Sequence, residues 1–395
     1  MSVEVVTGNH AAGYALSLAG EANRSARGMA CGIYPITPQT EIVEYVAKFP
    51  FSKGRVVPVE SEHSAMAVSM GASISGARAF TASSANGLDY MAENVMVTGY
   101  YRLPIVMVAV NRTLGPPWNI WADQGDTLML RDFAWLQFYC ETNQEVLDTT
   151  LLAFRLAEDR RILLPVLVCM DAFIVSHTQT ETALPEQADV DRFLPDLDLP
   201  HRLQADEART LGGLAWPHEG LSMRLEIDEA MKRVPQVYGE CRTAFEETFG
   251  RDPGGAVQNF ETEDAEVILV ASGTMATTAR EVVKKRRAAG EKIGLTKLKM
   301  YRPFPADELR AACESASRVA VLDRNYAAGA GGIFWQDTLA AFQGRRDDLL
   351  IQNYLTGLCG GDVTPMVIDE ILADLGARSE AGEPVWMGID AGEET

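Results

Sequence analysis

From residue 8 to about 175, short apolar runs alternate with amphipathic stretches. The runs at 29–34, 55–59, 77–82, 104–110, 137–140 and 164–170 have the length of strands. Between them, apolar positions recur at helical spacing over 11–22, 41–47, 62–75, 88–99, 127–135 and 144–159. The most apolar runs, 103–110 and 162–170, lack polar alternation, as expected of strands covered on both faces. Such alternation predicts an α/β fold, with a parallel sheet between helices, over 1–177.

The pattern then lapses. Residues 178–217 are rich in Pro, Asp, Glu and Leu without a period, and 224–249 read as one long helix. Residues 178–260 are therefore expected to form an irregular acidic excursion and a helix that link two units. A second α/β unit is expected over 261–395, with strands at 266–271, 293–300, 318–323 and 349–355. Its helices are expected at 274–289, 306–315, 333–342 and 364–375. The Gly- and Glu-rich C-terminal end is expected to wrap the surface or another chain.

A chain of 395 residues exceeds one typical core, which agrees with more than one domain. The net charge of −20 argues against a nucleic-acid or anionic-membrane surface. No apolar run is long enough to span a bilayer as a helix, and the start lacks the basic and apolar parts of a signal peptide. A cytoplasmic protein is expected. The six cysteines, Cys31, Cys140, Cys169, Cys241, Cys313 and Cys359, include no C-x-x-C pair. That spacing offers no local zinc or iron–sulfur cassette, so buried free thiols and no metal site are expected in this chain.

Candidate chemistry gathers at the ends of the first-half strands. Tyr34-Pro35-Ile36-Thr37-Pro38 follows the 29–34 run. Two prolines fix φ and push Tyr34 and Thr37 toward extended backbone, so the segment is a stiff elbow with the Thr37 hydroxyl at its centre. Glu60-Ser61-Glu62-His63 opens the helix at 62–75, with Ser61 as N-cap. Two readings of Glu62 stay open here: a complement to the helix dipole, or a cleft carboxylate poised to relay a proton. Asn111-Arg112 ends a buried strand. Arg112 is either salt-bridged to a neighbouring Asp or a clamp for a substrate carboxylate. Trp121-Ala122-Asp123-Gln124-Gly125-Asp126 lacks the ligand spacing of a calcium loop, so Asp126 reads as a cap for the helix at 127–135. The Gly-rich loop at 329–332 misses the G-x-G-x-x-G fingerprint and reads by default as close helix–strand packing. No Walker A, G-x-S-x-G or H-E-x-x-H motif occurs.

Tyr34-Pro-Ile-Thr-Pro-Gln-Thr, Glu60-Ser-Glu-His-Ser-Ala, Asn111-Arg112 and Trp118-Asn-Ile-Trp-Ala-Asp occur together and in order. With Tyr301-Arg-Pro-Phe-Pro-Ala and Asp362-Val-Thr-Pro further on, the whole chain resembles the alpha subunit of the multi-subunit 2-oxoacid:ferredoxin oxidoreductases, the pyruvate:ferredoxin type above all. The resemblance implies a pyrimidine-binding domain of a thiamine diphosphate enzyme, then a transketolase C-terminal-like domain. It implies CoA-acylating oxidative decarboxylation of a 2-oxo acid, with electrons passing to ferredoxin or a similar acceptor. A beta subunit would bind the diphosphate and Mg²⁺, and [4Fe-4S] clusters would sit on beta and ferredoxin-like delta subunits. With a gamma subunit, these would form a dimer of hetero-oligomers. Carried over by position, Glu62 matches the glutamate at the aminopyrimidine of the cofactor, with Tyr34 and Pro35 beside it. Thr37 and Arg112 match the substrate-binding pair. A transketolase-like enzyme sufficient by itself would need a G-D-G diphosphate motif, which the sequence lacks. A non-catalytic scaffold is the rival reading, and the presence of Glu62, Thr37 and Arg112 speaks against it.

The sequence departs from the pyruvate-type pattern at Asn86, at Gly115-Pro116 and at Gln124, which stands where a His is usual. Asn86 and Gly115 are accordingly candidate substrate-side residues. Gly115 would leave room beside the clamp. The departures point beyond pyruvate to a larger acid, branched or aromatic, such as 2-oxoisovalerate or phenylglyoxylate.

Overall fold

The computed structural model describes residues 2–389. The first half runs β1 (Ser2–Val6), α1 (Gly8–Glu21), β2 (Met29–Ile33), α2 (Thr40–Lys48), β3 (Gly54–Pro58), α3 (Glu62–Ile74), β4 (Arg78–Ser83), α4 (Ala85–Tyr90), α5 (Ala92–Tyr100), β5 (Val106–Asn111), α6 (Gly125–Leu128), β6 (Leu136–Cys140), α7 (Asn143–Glu158) and β7 (Val166–Asp171). Then come β8 (Thr180–Leu184), α8 (Gln187–Phe193) and the long α9 (Pro217–Phe249). The second half runs β9 (Val257–Phe260), β10 (Val267–Ala271), α10 (Thr274–Ala288), β11 (Ile293–Leu298), β12 (Met300–Arg302), α11 (Ala306–Ala312), β13 (Arg318–Asp323), α12 (Ile333–Phe342), β14 (Leu350–Leu355), α13 (Pro365–Ala377) and β15 (Val385–Trp386).

The first sheet has the order β12-β6-β7-β5-β4-β2-β3 and is parallel except for β12. Its central strands β4, β5 and β7 are buried throughout, which explains their unbroken apolar runs. The second sheet, β15-β14-β13-β10-β11-β9, is parallel except for β9. No described helix is long and apolar enough to cross a membrane.

Several expectations change in detail. The helix expected at 88–99 breaks at Met91 into α4 and α5. That expected at 127–135 shrinks to α6 and turns. The long helix starts earlier, at Pro217, where a proline costs no hydrogen bond. The strand expected at 293–300 divides: β11 stays in the second sheet, and β12 crosses to pair antiparallel with β6. Strands β1 and β8 pair antiparallel with each other, well apart in sequence and without marked alternation. The expectation for the C-terminal end lies outside the described residues over 390–395.

Candidate active site

The strand order of the first sheet reverses at β2, with β3 on one side and β4 on the other. Open parallel sheets bind ligands at their C-terminal ends beside such a reversal. The elbow after β2, the turn after β4, the loop after β5 and the start of α3 meet at this place.

The elbow is held by more than its prolines. Gln39 is fully buried and its Nε2 donates to the carbonyls of Tyr34 (2.8 Å) and Ala82 (3.2 Å). Asn9 Nδ2 donates to the Pro38 carbonyl at 2.7 Å. Thr37 is left exposed, and among the described residues its hydroxyl has no hydrogen-bond partner. Pro35 is exposed and Tyr34 is half-buried.

Arg112 is only 8% exposed. Its Nη1 donates to the Thr37 carbonyl, and its Nε is buried without an acceptor. No carboxylate among the described residues pairs with it within salt-bridge distance. Burial pulls its pKa down, against the raising influence of Asp126 and Glu62 nearby. Of the two readings from sequence, the direct salt bridge to an aspartate is therefore not made. A buried guanidinium without a directly paired carboxylate is costly, and an anion beside it would offset that cost.

Glu62 opens α3 behind its N-cap Ser61. Gly32 lets α3 lie directly on β2: a Cβ there would be 2.1 Å from the Ala65 carbonyl oxygen. Glu62 is 8% exposed, and among the described residues no donor hydrogen-bonds its carboxylate. Gly87 keeps the space beside it clear, since a Cβ there would meet Glu62 Oε1 at 2.8 Å and Ser83 Oγ at 2.6 Å. Ser83 Oγ is itself buried and unpartnered. Glu60 is exposed and accepts from Ser64 Oγ at 2.6 Å, a bond that lowers its pKa.

Asn86 and Gly115 bond reciprocally, Asn86 Nδ2 to the Gly115 carbonyl (3.2 Å) and the Gly115 N–H to Asn86 Oδ1 (3.1 Å). The room expected beside Gly115 is occupied: a Cβ there would lie 2.6 Å from the Trp118 indole. Gly115 is thus the seat of Trp118. The Gln124 side chain is engaged by Asp171, to which its Nε2 donates, and its backbone N–H donates to the Arg324 carbonyl of the second half.

Asp126 does not act as the cap of a long helix. It is fully buried within α6, and Oδ2 accepts the N–H groups of Ala85 and Arg112, both at 3.0 Å. Oδ1 accepts from Asn111 Nδ2 and the Thr127 N–H, both at 2.8 Å. One carboxylate thus ties the ends of β4 and β5. Burial pushes its pKa up to about 7. Sequence reasoning passed over this role, and the only available signal was an aspartate next to an apolar stretch. The loop at 329–332 is closed to phosphate, because Asp323 already accepts the N–H groups of Phe334 (2.9 Å) and Trp335 (3.2 Å) at the start of α12. No group of three or more metal-ligating side chains exists among the described residues.

These two sheets and this cleft have the fold of thiamine diphosphate enzymes, a pyrimidine-binding α/β unit followed by a transketolase C-terminal-like one. The family described as pyruvate flavodoxin/ferredoxin oxidoreductase, thiamine diphosphate-binding, matches residues 22–243, and pyruvate:ferredoxin oxidoreductase core domain II matches 265–368. The chain is 41% identical over 394 residues to pyruvate synthase subunit PorA of Methanothermobacter thermautotrophicus, covering 98% of this chain and 99% of that one. It is 40% identical over 395 residues to ketoisovalerate oxidoreductase subunit VorA of Pyrococcus furiosus, covering 98% of each. Among solved structures, the 2-oxoglutarate:ferredoxin oxidoreductase of Magnetococcus marinus shares the fold at TM-score 0.70 and 20% identity, over 94% of this chain and 65% of that one. The chain belongs to the pyruvate flavodoxin/ferredoxin oxidoreductase family and is an alpha-type subunit of a 2-oxoacid oxidoreductase.

Proposed function

We propose that Arg112 and Thr37 receive the carboxylate and carbonyl of a 2-oxo acid, and that Glu62 serves the aminopyrimidine of thiamine diphosphate. The observation that carries this reading is the buried Arg112 guanidinium, braced on the elbow and without a paired carboxylate. The buried Glu62 carboxylate, without a donor and with clear space at Gly87, fits a group that offers it a proton. When bound, the cofactor supplies the carbanion sink for loss of CO₂. Glu62 holds or moves a proton at the ring nitrogen. The Arg112 fork fixes the acid's orientation, and the Thr37 hydroxyl faces it from the elbow. Tyr34 and Pro35 wall the cofactor side. Asn86 and Gly115 hold the loop after β5 on the turn after β4.

The sequence carries no G-D-G diphosphate motif, and in this reading a beta subunit supplies that half with Mg²⁺. Gamma and ferredoxin-like delta subunits complete the complex, as a dimer of hetero-oligomers, and [4Fe-4S] clusters on partners carry electrons to ferredoxin or a similar acceptor. CoA takes the acyl group. Exposed Tyr90, Trp118 and Trp121, at 61%, 65% and 51%, offer the aromatic surface that a partner would cover. The six cysteines are all free, in keeping with a reducing cytoplasm. The acid is pyruvate or a larger 2-oxo acid. The Trp118 indole lies against Gly115, and the likeness to VorA favours a branched acid among the larger ones. The domain limits 1–177, 178–260 and 261–395 belong to the same proposal.

The test is co-purification with partner chains, then acceptor reduction with pyruvate, 2-oxoisovalerate and phenylglyoxylate. Glu62→Gln is expected to lower turnover about 10²-fold or more with assembly intact. Activity that survives this change in the assembled complex would favour a scaffold role instead.

A further inference from the structure

Hydroxyl groups near the end of β4 are spent on backbone carbonyls. Thr81 Oγ1 donates to the Gly32 carbonyl at 2.8 Å, Ser84 Oγ to that of Val110 at 2.6 Å, and Ser69 Oγ to that of Phe80 at 3.1 Å. Ser83 is the exception. It ends β4, is fully buried, and its Oγ has no hydrogen-bond partner among the described residues. We propose, on the reading of Glu62 given above, that Ser83 is a positioning residue for that carboxylate, donating its hydroxyl hydrogen to Glu62 while Glu62 attends the aminopyrimidine.

The point where a Gly87 Cβ would stand is 2.6 Å from Ser83 Oγ and 2.8 Å from both Oε1 and Cγ of Glu62. Hydroxyl and carboxylate thus border one small space, which the glycine keeps open. The alternation of β4 sends the Ser83 side chain to the same face as Ala79 and Thr81. Ala79 shares an apolar cluster with Met66 of α3. Ser83 therefore faces the helix that Glu62 opens.

The chemistry of the two groups is complementary. A serine hydroxyl has one hydrogen to donate and two positions that accept. Buried without a partner it destabilises the fold, and alanine would fill the same space without that cost. The Glu62 carboxylate has the matching lack: it is 8% exposed and accepts no bond among the described residues. Rotation about the Ser83 Cα–Cβ bond turns the O–H across the gap. With Oε1 held from the side of β4, Oε2 is left for the cofactor ring. The bond is charge-assisted while Glu62 is ionised. When Glu62 takes up a proton, the hydroxyl turns and accepts, so Ser83 itself neither gains nor loses one.

The test uses the complex with its partner chains, freed of cofactor and supplied with Mg²⁺. It is titrated calorimetrically with thiamine diphosphate and with the analogue that carries carbon in place of ring nitrogen N1′. The ratio of the two affinities reports the Glu62 bond to that nitrogen. The wild-type complex should prefer thiamine diphosphate, and Glu62→Gln should abolish the preference. Ser83→Ala is expected to reduce it about tenfold, with affinity for the analogue and melting temperature unchanged. Its kcat should fall by a similar factor while KM for the 2-oxo acid stays, because Arg112 and Thr37 are untouched. A wild-type preference in Ser83→Ala overturns the role of Ser83 and leaves that of Glu62 standing. An equal loss of affinity for both ligands, or a drop in melting temperature that accounts for the loss, assigns Ser83 a structural role and overturns the proposal as well. A preference that survives Glu62→Gln overturns the reading of Glu62 and this one with it.

Discussion

Four N–H donors, from Ala85, Asn111, Arg112 and Thr127, converge on the Asp126 carboxylate. An amide in its place keeps one accepting oxygen and turns the other into a donor facing donors. Asp126→Asn is therefore expected to cost about 1–3 kcal/mol of stability, read by denaturant unfolding. Its KM for the 2-oxo acid should rise more than its kcat falls, because Arg112 loses its backbone anchor. The pH dependence has a definite sign. Burial raises this carboxyl to about 7, above its unfolded value, so its stabilising contribution is complete below the unfolded pKa and is lost as pH rises through about 7. Stability should slope downward over that window, and less steeply in Asp126→Asn. A variant with the wild-type slope would count against this assignment. Thr37, Glu62 and Arg112 were legible as candidates because each stands where a strand run gives way to a turn or a helix start. Asp126, Gln39 and Asn9 were not, since each acts on backbone far away in sequence, and no local pattern reports such a partner.

At the scale of elements, α3 brings Glu62 to the cleft by resting on β2 at Gly32. A Cβ 2.1 Å from a backbone carbonyl oxygen has no flexible neighbour to yield. Gly32→Ala should cost about 1–3 kcal/mol through overpacking and move the start of α3. Turnover in the assembled complex should fall along with melting temperature; a fall in melting temperature alone would show that Glu62 keeps its place without this contact. The central strands were readable because burial on both faces demands continuous apolar runs. The edge strands were not. β1, β8, β9 and β15 are short and partly exposed, and each becomes a strand only through the neighbour it pairs with. The run at 293–300 showed one apolar stretch where the chain in fact passes from one sheet to the other.

For the whole molecule, the joint between halves is built from buried charge. Lys297 is fully buried, and its Nζ contacts Glu145 at 2.6 Å and Glu141 at 3.1 Å. Arg280 adds a second contact to Glu141, and Asp171 bonds Thr274 and Arg324 across the same joint. Burial would raise the Glu145 carboxyl, but Lys297 and Lys299 hold it down at about 2. A carboxylate depressed in this way stabilises the fold above its unfolded pKa, and that contribution disappears as pH falls toward about 2. Glu145→Gln leaves Lys297 short of counter-charge and should cost about 3–5 kcal/mol by denaturant unfolding at neutral pH. The acid transition of the variant should lose the part that lies between the unfolded carboxylate pKa and about 2. An unchanged acid transition would place the stabilising carboxylates elsewhere.

By itself, the sequence determined the α/β class, the turn chemistry of the elbow and the start of α3, because these depend on neighbours within a few residues. It also carried the family, through motifs in fixed order. Only the tertiary structure decided that Arg112 lacks a paired carboxylate, that Trp118 fills the space beside Gly115, and that Gln124 serves the joint. Each of these is a question of which groups meet across long loops. Pairing, burial and counter-charge are properties of that meeting and have no local signature in the chain.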